Sequence, residues 1–351
     1  MPLTAAAAGP RQRAKPSSAA YEAYLRGIYF LRQHRSAEAT ASLQDAVLLD
    51  PTFAEAYAGL ARALDSVEKP LCADMALIDT AARRALALDP DLAEAHFALA
   101  HSLFHCHFDW QEAGREFQRA LALDPGNADT YHQYAFYLAS LGRHGEAISA
   151  ASQARELDPA SMLVGSDFAY FFYVGRRYDE AVQQARRALE LISISPEDPG
   201  VTRFYRFWTL WVLFRSASAL GDEETAAEAG RGLMEFYGEG QEAKQVRSLE
   251  DFLRWQESWL LRRVRTQPVP AYFFAIASVD SSHYRRALDA LEEDCRTRRS
   301  FMLLFTGVEP GLDPLRGDPR FARILDCLKL PAEAPVRRAV LTGRAAAPHE
   351  E

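Results

Sequence analysis

Apolar residues recur three and four positions apart through most of this chain, in stretches of a few helical turns separated by short polar or glycine-containing breaks. "ADTYHQYAFYLASLG" followed by "RHGEAISAASQARELDP" shows the form: one amphipathic helix, a tight turn, and a second. The second helix of each pair ends on Asp-Pro, at Asp50-Pro51, Asp89-Pro90, Asp124-Pro125 and Asp158-Pro159, at intervals of 39, 35 and 34 residues. "RALALDP" is spelled twice, at 84–90 and 119–125. Proline disfavours helical geometry in the residue before it, so each aspartate marks a helix end. Thr52-x-x-Glu55 and Asp91-x-x-Glu94 read as capping boxes that start the next helix at once.

Small residues recur where paired helices must approach closely. With repeats anchored on the prolines, the eighth position holds Gly27, Ala61, Ala100, Ala135 and Ala169, the twentieth Ala39, Ala113, Ala147 and Ala181, and the twenty-seventh Ala46, Ala85, Ala120, Ala154 and Ala188. Tyr57, Leu60, Ala61, Leu64, Ala85 and Pro90 of the second unit, and Tyr131, Ala135, Leu138, Ala147, Ala154 and Pro159 of the fourth, resemble the tetratricopeptide repeat pattern. The resemblance implies an all-α, right-handed α-solenoid, with five units over residues 20–195; in the fifth, Ser193 replaces the terminal proline. Divergent helical pairs are expected over 196–330, including one long amphipathic helix in "EAKQVRSLEDFLRWQESWLLRRVRTQ". Residues 1–19 and 331–351 are expected to be disordered segments.

In such a solenoid the concave face is lined mainly by the first helix of each repeat. The family geometry places Tyr24, Arg62, Phe97, His101, Phe104, His132, Phe136, Tyr170 and Tyr173 there, an aromatic groove suited to a peptide or helix with apolar anchors. Several of these rings equally suit packing between neighbouring repeats. The lysines and asparagines that clamp acidic chaperone tails in some family members are replaced by Tyr24, Ile28, Ala58 and Arg62, which disfavours that ligand.

The closing stretch "RRSFMLLFTGVEPGLDPLRGDPRFARILDCL", with Asp313, Pro314, Leu315, Arg316, Asp318, Pro319, Arg320 and Phe321, is similar to the carboxy-terminal tetratricopeptide region of bacterial winged-helix transcriptional regulators and signalling kinases. Met1 stands about twenty residues before the first repeat, so the expectation is the sensory or scaffolding half of such a regulator, free-standing or cut from a longer protein.

Composition narrows the function. Forty Lys and Arg against forty-eight Asp and Glu leave a net charge of −8, which argues against nucleic-acid binding through a broad basic face. The most apolar run, "FYRFWTLWVLF" at 204–214, contains Arg206 and is about half the ~20 residues a spanning helix needs, so no membrane contact is expected. Cys72, Cys106, Cys295 and Cys327 show no CxxC spacing and fit reduced thiols in a cytoplasmic protein. No phosphate-binding glycine loop, nucleophile elbow or HExxH motif is present, and neither enzyme activity nor a cofactor is expected. "HFALAHSLFHCHFDW" places His101 and His105 on one helical face with His107 nearby, a sterically conceivable metal site that lacks a general base and is read instead as groove-lining or partly buried histidine. The expected function is a non-enzymatic scaffold that binds another protein or a peptide in bacterial signalling or transcription control.

Overall fold

The computed structural model describes residues 15–33, 35–64, 75–194, 199–263, 270–297 and 301–337, and among these no strand occurs. The helices are α1 Ser18–Arg32, α2 Ser36–Leu49, α3 Ala54–Leu64, α4 Met75–Leu88, α5 Ala93–Ser102, α6 Trp110–Leu123, α7 Ala128–Ser140, α8 His144–Leu157, α9 Met162–Val174, α10 Tyr178–Ile194, α11 Pro199–Leu220, α12 Glu223–Phe236, α13 Gly240–Ala243, α14 Leu249–Arg263, α15 Ala271–Asp280, α16 Tyr284–Thr297 and α17 Pro319–Cys327. Two compact units share them, one holding the described residues up to Leu99 and the other those from Ala100 on.

Within each unit, successive helices pack on one another as repeated pairs. α1 lies on α2 and α3 on α4 in the first unit; α7 on α8, α9 on α10, α11 on α12 and α15 on α16 in the second. The small residues sit at the seams as the repeat pattern requires: Ala39, Ala61, Ala85, Ala100, Ala135, Ala147, Ala154, Ala169 and Ala181 are fully buried. At Gly27 a Cβ would run into the Leu43 side chain, so the close approach of α1 and α2 depends on the missing methyl.

Three of the Asp-Pro junctions show why that dipeptide recurs. Asp50, Asp124 and Asp158 take φ of −143°, −134° and −135°, the extended geometry that the following proline imposes. The side chain then organises the turn: Asp50 Oδ1 accepts from Thr52 N at 3.0 Å and Asp124 Oδ1 from Gly126 N at 3.2 Å. This corrects one expected capping box. The Thr52 hydroxyl turns back to Asp50 Oδ1 at 2.7 Å, and α3 starts at Ala54 without Thr52 as its cap. A reciprocal cap does form at Ser248 and Asp251, each side chain accepting the other's backbone N–H at 3.1 Å. It starts α14, and it explains why "EAKQVRSLEDFLRWQ" is broken into α13 and α14 where one long helix was expected.

The carboxy-terminal part departs furthest from the expected pattern. After α16 the chain makes two 3₁₀ turns, Phe301–Phe305 and Pro310–Leu315, before α17, and residues 331–337 continue against α7. Val336 is 1% exposed and its N–H donates to Leu141 O at 3.4 Å, so this part of the supposed disordered tail is packed; 338–351 lie outside the described residues. Of the expected amino-terminal segment, residues 1–14 lie outside them too, while Ser18 and Ala19 already belong to α1. The expectation of reduced thiols fails at Cys295 and Cys327, whose sulfurs are joined across α16 and α17 with Cα atoms 6.3 Å apart. Spacing of 32 residues along the chain gave no sign that these two helices would meet.

Candidate functional site

In the first unit, the expected groove positions Tyr24, Arg62 and Phe97 lie on α1, α3 and α5 and none is fully buried. Tyr24 packs on Phe53 with ring centroids 5.0 Å apart, and burial pushes its phenol up to about 12. Arg62 keeps 46% of its side chain exposed while its guanidinium stands 3.5 Å from Glu94. Burial raises the Glu94 carboxyl against the opposing pull of Arg62, so the pair sits partly in solvent and partly against the repeat. On α1 the apolar residues Tyr21, Leu25 and Tyr29 follow one another at four-residue spacing, and all three are exposed.

In the second unit the expected groove positions are differently placed. Phe104, His132, Phe136, Tyr170 and Tyr173 are all buried, and other parts of the same unit cover them. Phe104 is held edge-on by Trp110 and Tyr137 at 5.5 and 5.8 Å. Tyr137 hydroxyl donates to Trp110 O at 2.8 Å, and the Trp110 indole donates to Leu328 O at 2.7 Å, tying α6 and α7 to the end of α17. His132 and the indole of Trp208 share one carboxylate: Asp167 Oδ2 lies 2.8 Å from His132 Nε2, and Asp167 Oδ1 accepts from Trp208 Nε1 at 2.8 Å.

Phe136 and Tyr170 flank Phe305, with ring centroids at 5.4 and 5.5 Å and both contacts edge-on. Four residues on, Glu309 enters the core. Its two carboxylate oxygens accept short hydrogen bonds from the Tyr173 and Tyr272 hydroxyls, and Oε1 also accepts from Gly311 N at 2.9 Å. Burial raises the Glu309 carboxyl, with Arg215 and the two phenols acting in the other direction. Burial likewise pushes the Tyr173 and Tyr272 phenols well up, and the negative charge of Glu309 adds to it. Beside this cluster Arg215 Nη1 grips both oxygens of Asp280 at 2.8 and 2.7 Å, and Arg176 holds Asp313 at 2.7 and 2.8 Å. A 260 Å³ cavity opens at this place, between Arg176, Arg215, Tyr178, Phe214 and Leu253.

The spacing pattern named Phe136, Tyr170 and Tyr173 as groove residues but not Tyr272, Glu309, Arg215 or Asp280, which complete the cluster. A signal existed: Glu309 interrupts "FMLLFTGVEPGL", and Arg215 ends the apolar run "WTLWVLF". A charge inside an apolar stretch is costly to bury unless paired, so each of the two implied a partner.

The histidine cluster is local. The His101 and His105 rings lie tilted against each other with centroids 4.1 Å apart, where α5 widens into a π-helical turn over Leu103–His107 that Phe108 ends at φ +55°. His105 is buried with Nε2 3.4 Å from Gln133 Oε1, and His107 is half-buried. Among the described residues no group of three or more His, Cys, Asp or Glu is arranged to hold a metal ion. No helix among them is long and apolar enough to cross a membrane.

Comparison with known proteins agrees with this architecture. Residues 116–149 match the tetratricopeptide repeat family. None of the curated proteins matches the chain. The crystal structure of PilW, a widely conserved type IV pilus biogenesis factor, is similar over 64% of this chain and 97% of its own, at 19% identity and a TM-score of 0.51. PilF of Pseudomonas aeruginosa shares 21% identity over 65% of this chain and 98% of its own, with a TM-score of 0.48. A thermophilic TPR protein of Thermus thermophilus shares 21% over 57% of this chain and 99% of its own, with a TM-score of 0.45. The PilW likeness speaks to fold alone. With the matched repeat at residues 116–149 and the seam alanines of the helix pairs, it supports an all-α array of helix pairs that includes a tetratricopeptide repeat.

Proposed function

We propose that the chain is a non-enzymatic protein-interaction scaffold whose open binding surface lies in the first unit, around Tyr24, Arg62 and Phe97. The observation that carries this reading is exposure. Arg62 on α3 remains 46% exposed, and on α1 Tyr21, Leu25 and Tyr29 form an exposed apolar stripe. An aromatic surface with one guanidinium suits a helix or extended peptide that brings apolar anchors and an acidic residue. Tagged wild-type chain should capture a partner from native lysate, and Arg62→Glu combined with Tyr21→Ala should lose it while the far-UV circular dichroism stays unchanged. Equal capture by both would remove this surface from consideration.

The setting we favour is a bacterial signalling or transcription-control pathway in the cytoplasm, on the similarity of the closing motif around Asp313–Phe321 to regulator carboxy-terminal regions. The same similarity favours a second reading, in which the chain is the detached regulatory portion of a DNA-binding regulator or kinase. An in-frame winged-helix or kinase sequence in the coding DNA upstream of Met1 would decide for the second.

A further inference from the structure

We infer that the face built by α7, α9, α11 and α15 is a second peptide-binding site, occupied in cis by residues 301–316, and that it takes from a partner a segment of the same chemistry: an aromatic anchor, a carboxylate four residues later and another four after that. This rests on the reading of the chain as an interaction scaffold.

The covering segment has the character of a bound peptide. It runs as two 3₁₀ turns joined by an irregular stretch over 306–309, and it carries Gly307, Pro310, Gly311 and Pro314. It contributes three anchors at regular spacing, two received by side chains of α7, α9 and α15 and the third by Arg176 in the turn after α9, where Arg316 of the segment also holds it at 2.6 Å. Phe305 enters between Phe136 and Tyr170, Glu309 between the hydroxyls of Tyr173 and Tyr272, and Asp313 against the fork of Arg176. A stretch serving only as core could be as stable with apolar side chains replacing Glu309 and both tyrosine hydroxyls together, whereas a buried, fully ligated carboxylate selects one segment in one register.

The fit is also incomplete. Thr306 Oγ1 and Arg316 Nη2 are buried without a hydrogen-bond partner, so the segment leaves polar groups unsatisfied that a better-matched occupant would not. Chain on both sides remains attached when it lifts: α16 precedes it, and Leu328 O and Val336 N hold the stretch after it to Trp110 and Leu141. Release of 301–316 is then a local opening rather than unfolding of the unit.

The test uses the full chain and a fluorescent peptide of residues 303–314. Phe305→Ala with Glu309→Gln weakens the cis segment and leaves every receiving side chain in place. The double variant should bind the peptide saturably, and the wild type roughly ten-fold or more weakly, because the apparent affinity falls with the fraction of open sites. A peptide with alanine at both anchor positions should bind neither protein. Equal affinity for the two proteins, or no binding to a variant whose dichroism is native, overturns the proposal. Doubling of the variant's mass in light scattering without peptide binding would assign the face to a second copy and overturn the partner chemistry.

If the variant does not fold, hydrogen exchange on the wild type decides. Amides of 303–316 exchanging at least about ten-fold faster than those of α9 support a releasable segment, and joint exchange with α9 refutes it. Partner capture through Arg62 is read in a separate unit and assay, so its failure and this one are distinguishable.

Discussion

Asp167→Ala provides a sharp test of whether His132 is architecture or a partner-facing ligand. The carboxylate is buried and satisfies two groups at once, the Trp208 indole N–H at 2.8 Å and the His132 imidazole at 2.8 Å. Truncation removes both partners together. A buried polar group left unsatisfied costs about 1–3 kcal/mol, so the two sum to roughly 2–6 kcal/mol, with neither able to turn to solvent. In a unit of this size each kcal/mol lowers the melting temperature by about 2–4 °C, which places the expected fall on the order of 10 °C.

Asp167→Asn should lose much less. Its carbonyl still accepts from the indole, and its amide donates to imidazole Nε2 once the ring proton sits on Nδ1. Thermal melts followed by far-UV circular dichroism measure the loss, and the near-UV tryptophan signal reports whether Trp208 has moved. An Ala variant that melts within about 1 °C of wild type, or an Asn variant as damaged as the Ala one, would refute the shared-carboxylate account.

Ala154→Trp should lower the melting temperature by several degrees, since Ala154 is fully buried in α8 and overpacking costs about 1–3 kcal/mol; an unchanged melt would displace the repeat register. Because burial raises the Glu309 carboxyl in the folded state, the folded form holds its proton more tightly than the unfolded one. Its contribution is therefore full below the unfolded value of about 4.3 and is lost as pH rises through the raised folded value. Urea midpoints of Glu309→Gln should accordingly decline less over that window than those of wild type, and parallel curves would contradict it. Reduction of Cys295–Cys327, a link spanning 32 residues, should destabilise the second unit by about 3–4 kcal/mol in the loop-entropy account. Paired melts with and without dithiothreitol, checked by non-reducing peptide mapping, measure this directly.

The scaffold was legible because helix pairing is written locally. Spacings of three and four place the apolar face, Asp-Pro stops each second helix, and alanine at Ala61, Ala135 or Ala147 is demanded by contacts within a repeat or with the next one. What covers a helix face is not local. His132, Phe136, Tyr170 and Tyr173 have the spacing of groove residues, and the same spacing serves whether the groove receives a partner or residues 301–316 of the same chain. An aromatic row presents the same sequence to either occupant. The distinction was available only in the covering segment, where Glu309 stands among apolar neighbours too far along the chain for any repeat period to relate it to Tyr173. The break before α14 was missed for a different reason: Ser248-x-x-Asp251 is a cap signature, but the apolar periodicity on either side was continuous enough to hide it. A buried charge in an apolar run is thus the stronger guide to long-range closure in this fold. Such a charge must find its partner within the folded unit, whereas an aromatic on a helix face has no such obligation.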